Sequence, residues 1–167
     1  NGTTDWVYEE EFGFTKAYNW SPDNKKIAFL KFDESKVKEF TMTYYSELYP
    51  DLYTFKYPKA GEDNSKVTLH VYYTESSKTE QIDLGEYEYI PRISYSPVGD
   101  QLIALTMNRH QNVLKYNLID CSKASFLVVI SFFKDIKSNQ ASIRFKICSS
   151  SGVTEEGKNF TNSPFSL

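Results

Sequence analysis

Two cysteines, two histidines and seven glycines are all this 167-residue chain offers of the residues that build disulfide frameworks, metal centres and phosphate loops. Cys121 and Cys148 stand in no Cys-x-x-Cys or Cys/His ligand spacing, which argues against zinc; no metal or cofactor is expected. No glycine flanks a serine as Gly-x-Ser-x-Gly, the elbow that exposes a serine nucleophile. His70 and His110 are remote from each other and from any serine-centred motif. The first is predicted on one face of a strand, within Val67-Thr68-Leu69-His70-Val71-Tyr72, and the second in a turn. No apolar run reaches the 18 residues of a transmembrane helix, and no charged-then-apolar start marks a signal peptide. The chain starts at Asn1 without a methionine and is expected to be a fragment, so export signals could have been lost with the missing front. A net charge of −3 excludes a generally basic nucleic-acid binder, because that class needs clustered Lys and Arg to displace counterions.

What is present argues for folding: 40% of residues are hydrophobic and 16% aromatic. Their distribution is uneven. Residues 1–120 hold 13 Lys and Arg against 19 Asp and Glu, whereas 121–167 hold 6 against 3. All thirteen tyrosines and both tryptophans precede Asp120, both cysteines follow it, and ten of the last 47 residues are serine. Such a shift marks a boundary, so 121–167 is expected to be a divergent tail, from a shifted reading frame or a mis-joined exon. Within it, Phe126 to Phe133 has the length of a buried strand, and 154–160 is a faint echo of the repeat described next.

Trp20-Ser21-Pro22-Asp23-Asn24-Lys25-Lys26-Ile27-Ala28-Phe29-Leu30 is matched by Tyr95-Ser96-Pro97-Val98-Gly99-Asp100-Gln101-Leu102-Ile103-Ala104-Leu105. Each copy reads as an aromatic-ended strand, a Ser-Pro turn and a second strand buried on both faces. This is the hairpin of a β-propeller blade, whose repeats usually span about 40 to 50 residues. Here the copies are 75 residues apart, so something is inserted. The insert falls at about 33–66, where Glu34 to Met42 alternates polar and apolar residues and Tyr57-Pro58-Lys59-Ala60-Gly61 supplies a turn. It reads as an extended β arm. Lys66–Thr74 and Thr79–Leu84 read as strands completing the blade, and Val113–Asp120 as the outer strand of the next. The predicted fold is therefore all-β: one to two blades of a partial propeller within 1–120, plus the arm, with a short acidic helical turn near the N-terminus.

Near the start, Asp5-Trp6-Val7-Tyr8-Glu9-Glu10-Glu11-Phe12 sets three adjacent carboxylates among aromatics. Like charges repel, so the run needs either solvation or a counter-cation. Neighbouring side chains point to opposite faces of a strand but sit about 100° apart on a helix, so two can converge on one cation only if the stretch is helical or tightly turned. Thr4 or Asp5 is a candidate N-cap. A solvated acidic first turn and an ammonium-binding site are both open on these grounds.

The acidic run, Phe32-Asp33-Glu34 at the start of the insert and Tyr57-Pro58-Lys59-Ala60-Gly61 at its end resemble the dipeptidyl peptidase IV family of serine peptidases, bacterial members most closely, over residues 1 to about 120. The resemblance implies that Glu10 and Glu11 bind the free amino terminus of a substrate peptide, with Glu9, Trp6 and Tyr8 in support. It implies a homodimer contact through the arm, with Val37, Phe40 and Met42 at the interface, although these apolar side chains could instead cover the protein's own sheet. It also implies a periplasmic, cell-surface or secreted setting, and release of Xaa-Pro dipeptides by a hydrolase domain that this chain lacks. The chain alone is accordingly expected to be inactive. The alternative is a non-catalytic propeller that binds protein partners, or a truncated gene product.

Overall fold

The computed structural model describes residues 1–97, 100–121, 125–134, 141–149 and 152–156. It is built of antiparallel strands with one short helix, α1 (Trp6–Phe12). The first sheet contains β1 (Tyr18–Trp20), β2 (Lys26–Asp33), β5 (Lys66–Tyr73) and β6 (Lys78–Ile82), in that order. Between β2 and β5 the chain leaves the sheet as a separate two-stranded hairpin, β3 (Glu39–Tyr44) and β4 (Asp51–Lys56). This hairpin is the predicted arm. The second sheet runs β7 (Tyr89–Tyr95), β8 (Gln101–Met107), β9 (Val113–Asp120), β10 (Ser125–Lys134), β11 (Ala141–Ser149) and β12 (Gly152–Glu156).

Strand geometry sends alternate side chains to opposite faces, and packing buries one of them. Ala28 and Leu30 on β2, Leu69 and Val71 on β5, and Leu102 and Ala104 on β8 are fully buried, while their neighbours along each strand are half-buried or exposed. This corrects the expectation that the second strand of each hairpin is buried on both faces. Only one face of the first sheet packs on the second, with β7 against β1 and β5. The opposite face carries Tyr18 and Trp20, which are 37% and 47% exposed. A second correction concerns β9, which is not an outer strand. It pairs with β8 on one side and β10 on the other, and the sheet continues across Asp120 through the Asp120–Ser125 pairing. The echo at 154–160 falls partly on β12; Gly157 and Phe160 lie outside the described residues.

The repeat is a real structural repeat. In both hairpins the serine of the Ser-Pro pair donates its amide to the carbonyl five residues on: Ser21 to Lys26 at 2.9 Å and Ser96 to Gln101 at 2.8 Å. In the first, the Ser21 hydroxyl also accepts from the Lys26 amide (2.9 Å) and donates to Asp23 Oδ1 (2.6 Å), and Asn24 takes the left-handed φ of 58°. The two turns are tied together, because Lys26 Nζ reaches Asp100 Oδ2 at 2.7 Å. The buried Asn117 amide is paired as burial requires: its Nδ2 donates to the Ala104 carbonyl and to Thr106 Oγ1, both at 3.0 Å.

Cys121 closes the core beneath these sheets and is fully buried. Burial pushes its thiol up to about 11, so at neutral pH it stays protonated and shielded, the opposite of a reactive cysteine. In a Cys148→Ser background, iodoacetamide at pH 8 is expected to label Cys121 only after denaturant unfolds the chain. Rapid labelling of the native chain would contradict this packing.

Candidate functional site

The acidic segment is helical because its ends are capped and its apolar residues are anchored. Asp5 is the N-cap, and its Oδ1 accepts from the Tyr8 amide at 2.9 Å. Its Oδ2 accepts a hydrogen bond from the Ser65 hydroxyl, tying the helix start to the root of the arm. Gly13 ends the helix with φ 67°, a left-handed C-cap that glycine adopts without strain, and its amide closes on the Glu9 carbonyl at 3.1 Å. The flanking chain is bridged as well, with Thr3 paired to Lys16 and the Ala17 amide donating to the Gly2 carbonyl at 2.9 Å. The helix therefore sits on a closed loop.

Tyr8 is the anchor. It is 1% exposed and ringed by Phe12, Phe14, Phe32 and Tyr89, with centroids at 5.1, 5.8, 4.9 and 6.5 Å. Its hydroxyl accepts from the Ile90 amide on β7 at 2.8 Å. Burial raises the phenol's pKa well above its ordinary value, so the ring stays neutral. At the other end of the helix Arg92, also on β7, donates to the Phe12 carbonyl at 2.6 Å and lies 4.8 Å above the Phe14 ring. Beside the helix start, burial, and after it the charge of Asp5, raises the pKa of Glu34.

Glu9, Glu10 and Glu11 are all exposed, and none is in an ion pair or side-chain hydrogen bond with another described residue. Glu9 lies in the first turn, and Glu10 and Glu11 lie one and two residues nearer the C-cap, Gly13. Of the aromatics expected in support, Tyr8 is in the core beneath the helix. Trp6 lies at the surface, 36% exposed, edge-on to Tyr57 with centroids 4.4 Å apart. Arg92 and Ser65 carry no local sequence signal: they meet the helix only through chain reversals of 80 and 60 residues.

Tyr57 begins an aromatic series along one face of the arm. Its ring meets Phe40 and Phe55 at 5.6 and 6.0 Å, Phe55 meets Tyr53 at 5.4 Å, and Tyr53 meets Tyr44 at 6.2 Å. The register explains this, since Phe40 pairs with Phe55 and Met42 with Tyr53, all on the same face, while Thr41 and Thr54 pair on the other. Phe40 is half-buried and Met42 is 39% exposed. Val37 is not at the surface: it is 4% exposed at the arm's root and offers no side chain to a partner. At the tip, Tyr45, Leu48 and Tyr49 are 80, 91 and 80% exposed, a stretch the sequence reading had not singled out. The root is braced by ion pairs: Lys38 meets Glu62, and Arg109 spans Glu88 (2.9 Å) and the Glu62 carbonyl (2.6 Å).

His70 lies on β5, stacked on Phe29 at 5.4 Å, and His110 in the β8–β9 turn. Neither touches the helix. No group of three or more His, Cys, Asp or Glu among the described residues is arranged to hold a metal ion. No described helix is long and apolar enough to cross a membrane.

Antiparallel sheets packed face to face, with an arm inside the first and an acidic helix on a closed loop, define a partial β-propeller. A profile of the dipeptidyl peptidase IV N-terminal region matches residues 1–152, and the chain belongs to that family. It is 36% identical over 140 residues to the "Probable dipeptidyl-aminopeptidase B" of Phaeosphaeria nodorum, covering 73% of this chain and 15% of that one. It is 49% identical over 77 residues to dipeptidyl aminopeptidase B of Saccharomyces cerevisiae, covering 43% of this chain and 9% of the other. The crystal structure of Porphyromonas gingivalis dipeptidyl peptidase 4 superposes with a TM-score of 0.71 at 35% identity, covering 86% of this chain and 24% of that chain. Fungal and bacterial proteins are both represented. The chain thus spans about a sixth or less of the length of these fungal relatives.

Proposed function

We propose that this chain is the part of a dipeptidyl peptidase IV-like serine exopeptidase that recognises the substrate's amino terminus, with Glu10 and Glu11 as the ammonium ligands. The observation that carries the reading is a short helix fixed at both ends that leaves its three carboxylates exposed and without side-chain partners among the described residues. A primary ammonium has three donors, which suits two carboxylates about 100° apart on one helical turn. Anchoring the amine at a fixed point sets which peptide bond lies at the nucleophile, so recognition acts by positioning and gives dipeptides as products. The nucleophile and its histidine belong to a hydrolase domain outside these residues. The test is to place residues 1–97 in an intact peptidase and neutralise Glu10 and Glu11. A selective loss on free-amine peptides supports the reading, and an equal loss on amino-blocked peptides overturns it.

The arm is proposed to dock on a second copy of the peptidase through Phe40, Met42 and the exposed tip. Apolar area of this kind contributes roughly 25 cal/mol per Å² when covered. In the same peptidase, Met42→Asp combined with Leu48→Asp is expected to weaken dimerisation at least about tenfold in sedimentation velocity, because a charge is then buried without a partner. An unchanged dimer would exclude this face.

A further inference from the structure

The acidic helix has an electrostatic problem that its own sequence does not solve. It is seven residues long, and a helix that short is marginal without tertiary support. The C-terminal end of a helix carries partial negative charge, which cations relieve and carboxylates worsen. Here Glu10 and Glu11 lie toward that end, and no basic residue occupies the last turn. The missing cation comes from β7. Arg92 donates one guanidinium nitrogen to the Phe12 carbonyl at 2.6 Å and another to the Pro91 carbonyl at 2.6 Å, with its plane held 4.8 Å over Phe14. These bonds go to backbone oxygens and leave the glutamate oxygens available to a ligand.

We propose that Arg92 is a positioning residue for substrate-amine recognition: it clamps the last turn of α1 to the second sheet so that Glu10 and Glu11 point at one ammonium. The inference rests on the amine-binding reading of Glu10 and Glu11. Arg92 acts through them and does not touch the substrate. A lysine keeps the charge but loses the two-pronged donor geometry, and an alanine loses both.

The experiment uses an intact peptidase carrying this segment, assayed with a free-amine Ala-Pro anilide and its N-acetyl counterpart, with a thermal melt for each variant. Arg92→Ala is expected to lower kcat/KM for the free-amine substrate about tenfold, mainly through KM, while leaving the acetylated substrate within about twofold. Arg92→Lys should recover part of the loss. In a Glu10→Gln/Glu11→Gln background, Arg92→Ala should cost nothing further, because the group it positions has gone. If Arg92→Ala does not fold, Arg92→Lys carries the test through the same ratio between substrates. Equal losses on both substrates, no loss on either, or full additivity with the glutamate changes would overturn the proposal. If the glutamate variants change the free-to-blocked ratio and the Arg92 variants do not, the clamp alone falls. If the glutamate variants leave that ratio intact, the amine reading falls and the clamp with it.

Discussion

In a peptidase carrying this segment, Glu10→Gln or Glu11→Gln is expected to lower kcat/KM for free-amine dipeptide substrates by about 10- to 100-fold. Glutamine keeps the size of the side chain and removes one charge-assisted hydrogen bond, worth about 1.5 to 3 kcal/mol, or one to two powers of ten in rate. Substrates with a blocked amino end lack the cation and should be poor from the start, losing much less on mutation. Glu9→Gln should have the smaller effect, because Glu9 sits in the first turn, away from the other pair's end of the helix. Steady-state kinetics with the two substrate forms measures all of this. If Glu9 proves the dominant carboxylate, the assignment of roles within the run is wrong even though an amine site exists.

The largest effect on stability is expected at Tyr8. Tyr8→Ala removes a ring that four aromatic residues enclose and leaves a cavity in the core, at a cost of about 3 to 5 kcal/mol by analogy with other buried aromatic truncations. Tyr8→Phe keeps the ring but strips the Ile90 amide of its acceptor, and an orphaned buried N–H costs about 1 to 3 kcal/mol. Urea unfolding of each variant gives both numbers. The phenylalanine variant is the sharper test: a neutral result would mean that the Ile90 amide finds another acceptor and that Tyr8 holds the helix by packing alone. Either substitution should also loosen α1, so free-amine selectivity is expected to fall with stability in these variants, whereas in the Glu10 and Glu11 variants it falls without it.

The hairpin repeat, the arm and the acidic helix were legible because each rests on short-range physics. Apolar runs mark β2 and β8, Ser-Pro turns bound the hairpins, and Thr4 or Asp5 offers a cap for the acidic turn, which Asp5 fills. Buried and exposed faces were harder to read. Ile27 and Phe29 look as apolar as Ala28 and Leu30, and only the packing of one sheet on the other distinguishes them. The resemblance implied an interface role for Val37, yet the root of the arm folds over it.

By itself, then, the sequence determined the local elements and the charge that one of them carries. Spacing, caps and turn residues act over a few positions and need no knowledge of the rest of the chain. Tertiary structure decided what holds that charge in place: the Ser65 bond to Asp5, the Ile90 amide on Tyr8 and the Arg92 clamp on Phe12 join residues 60 to 82 positions apart. The first arises when the chain returns from the arm to β5 and the other two when the second sheet brings β7 beneath the helix, and no periodicity in a single strand records which neighbour it will meet.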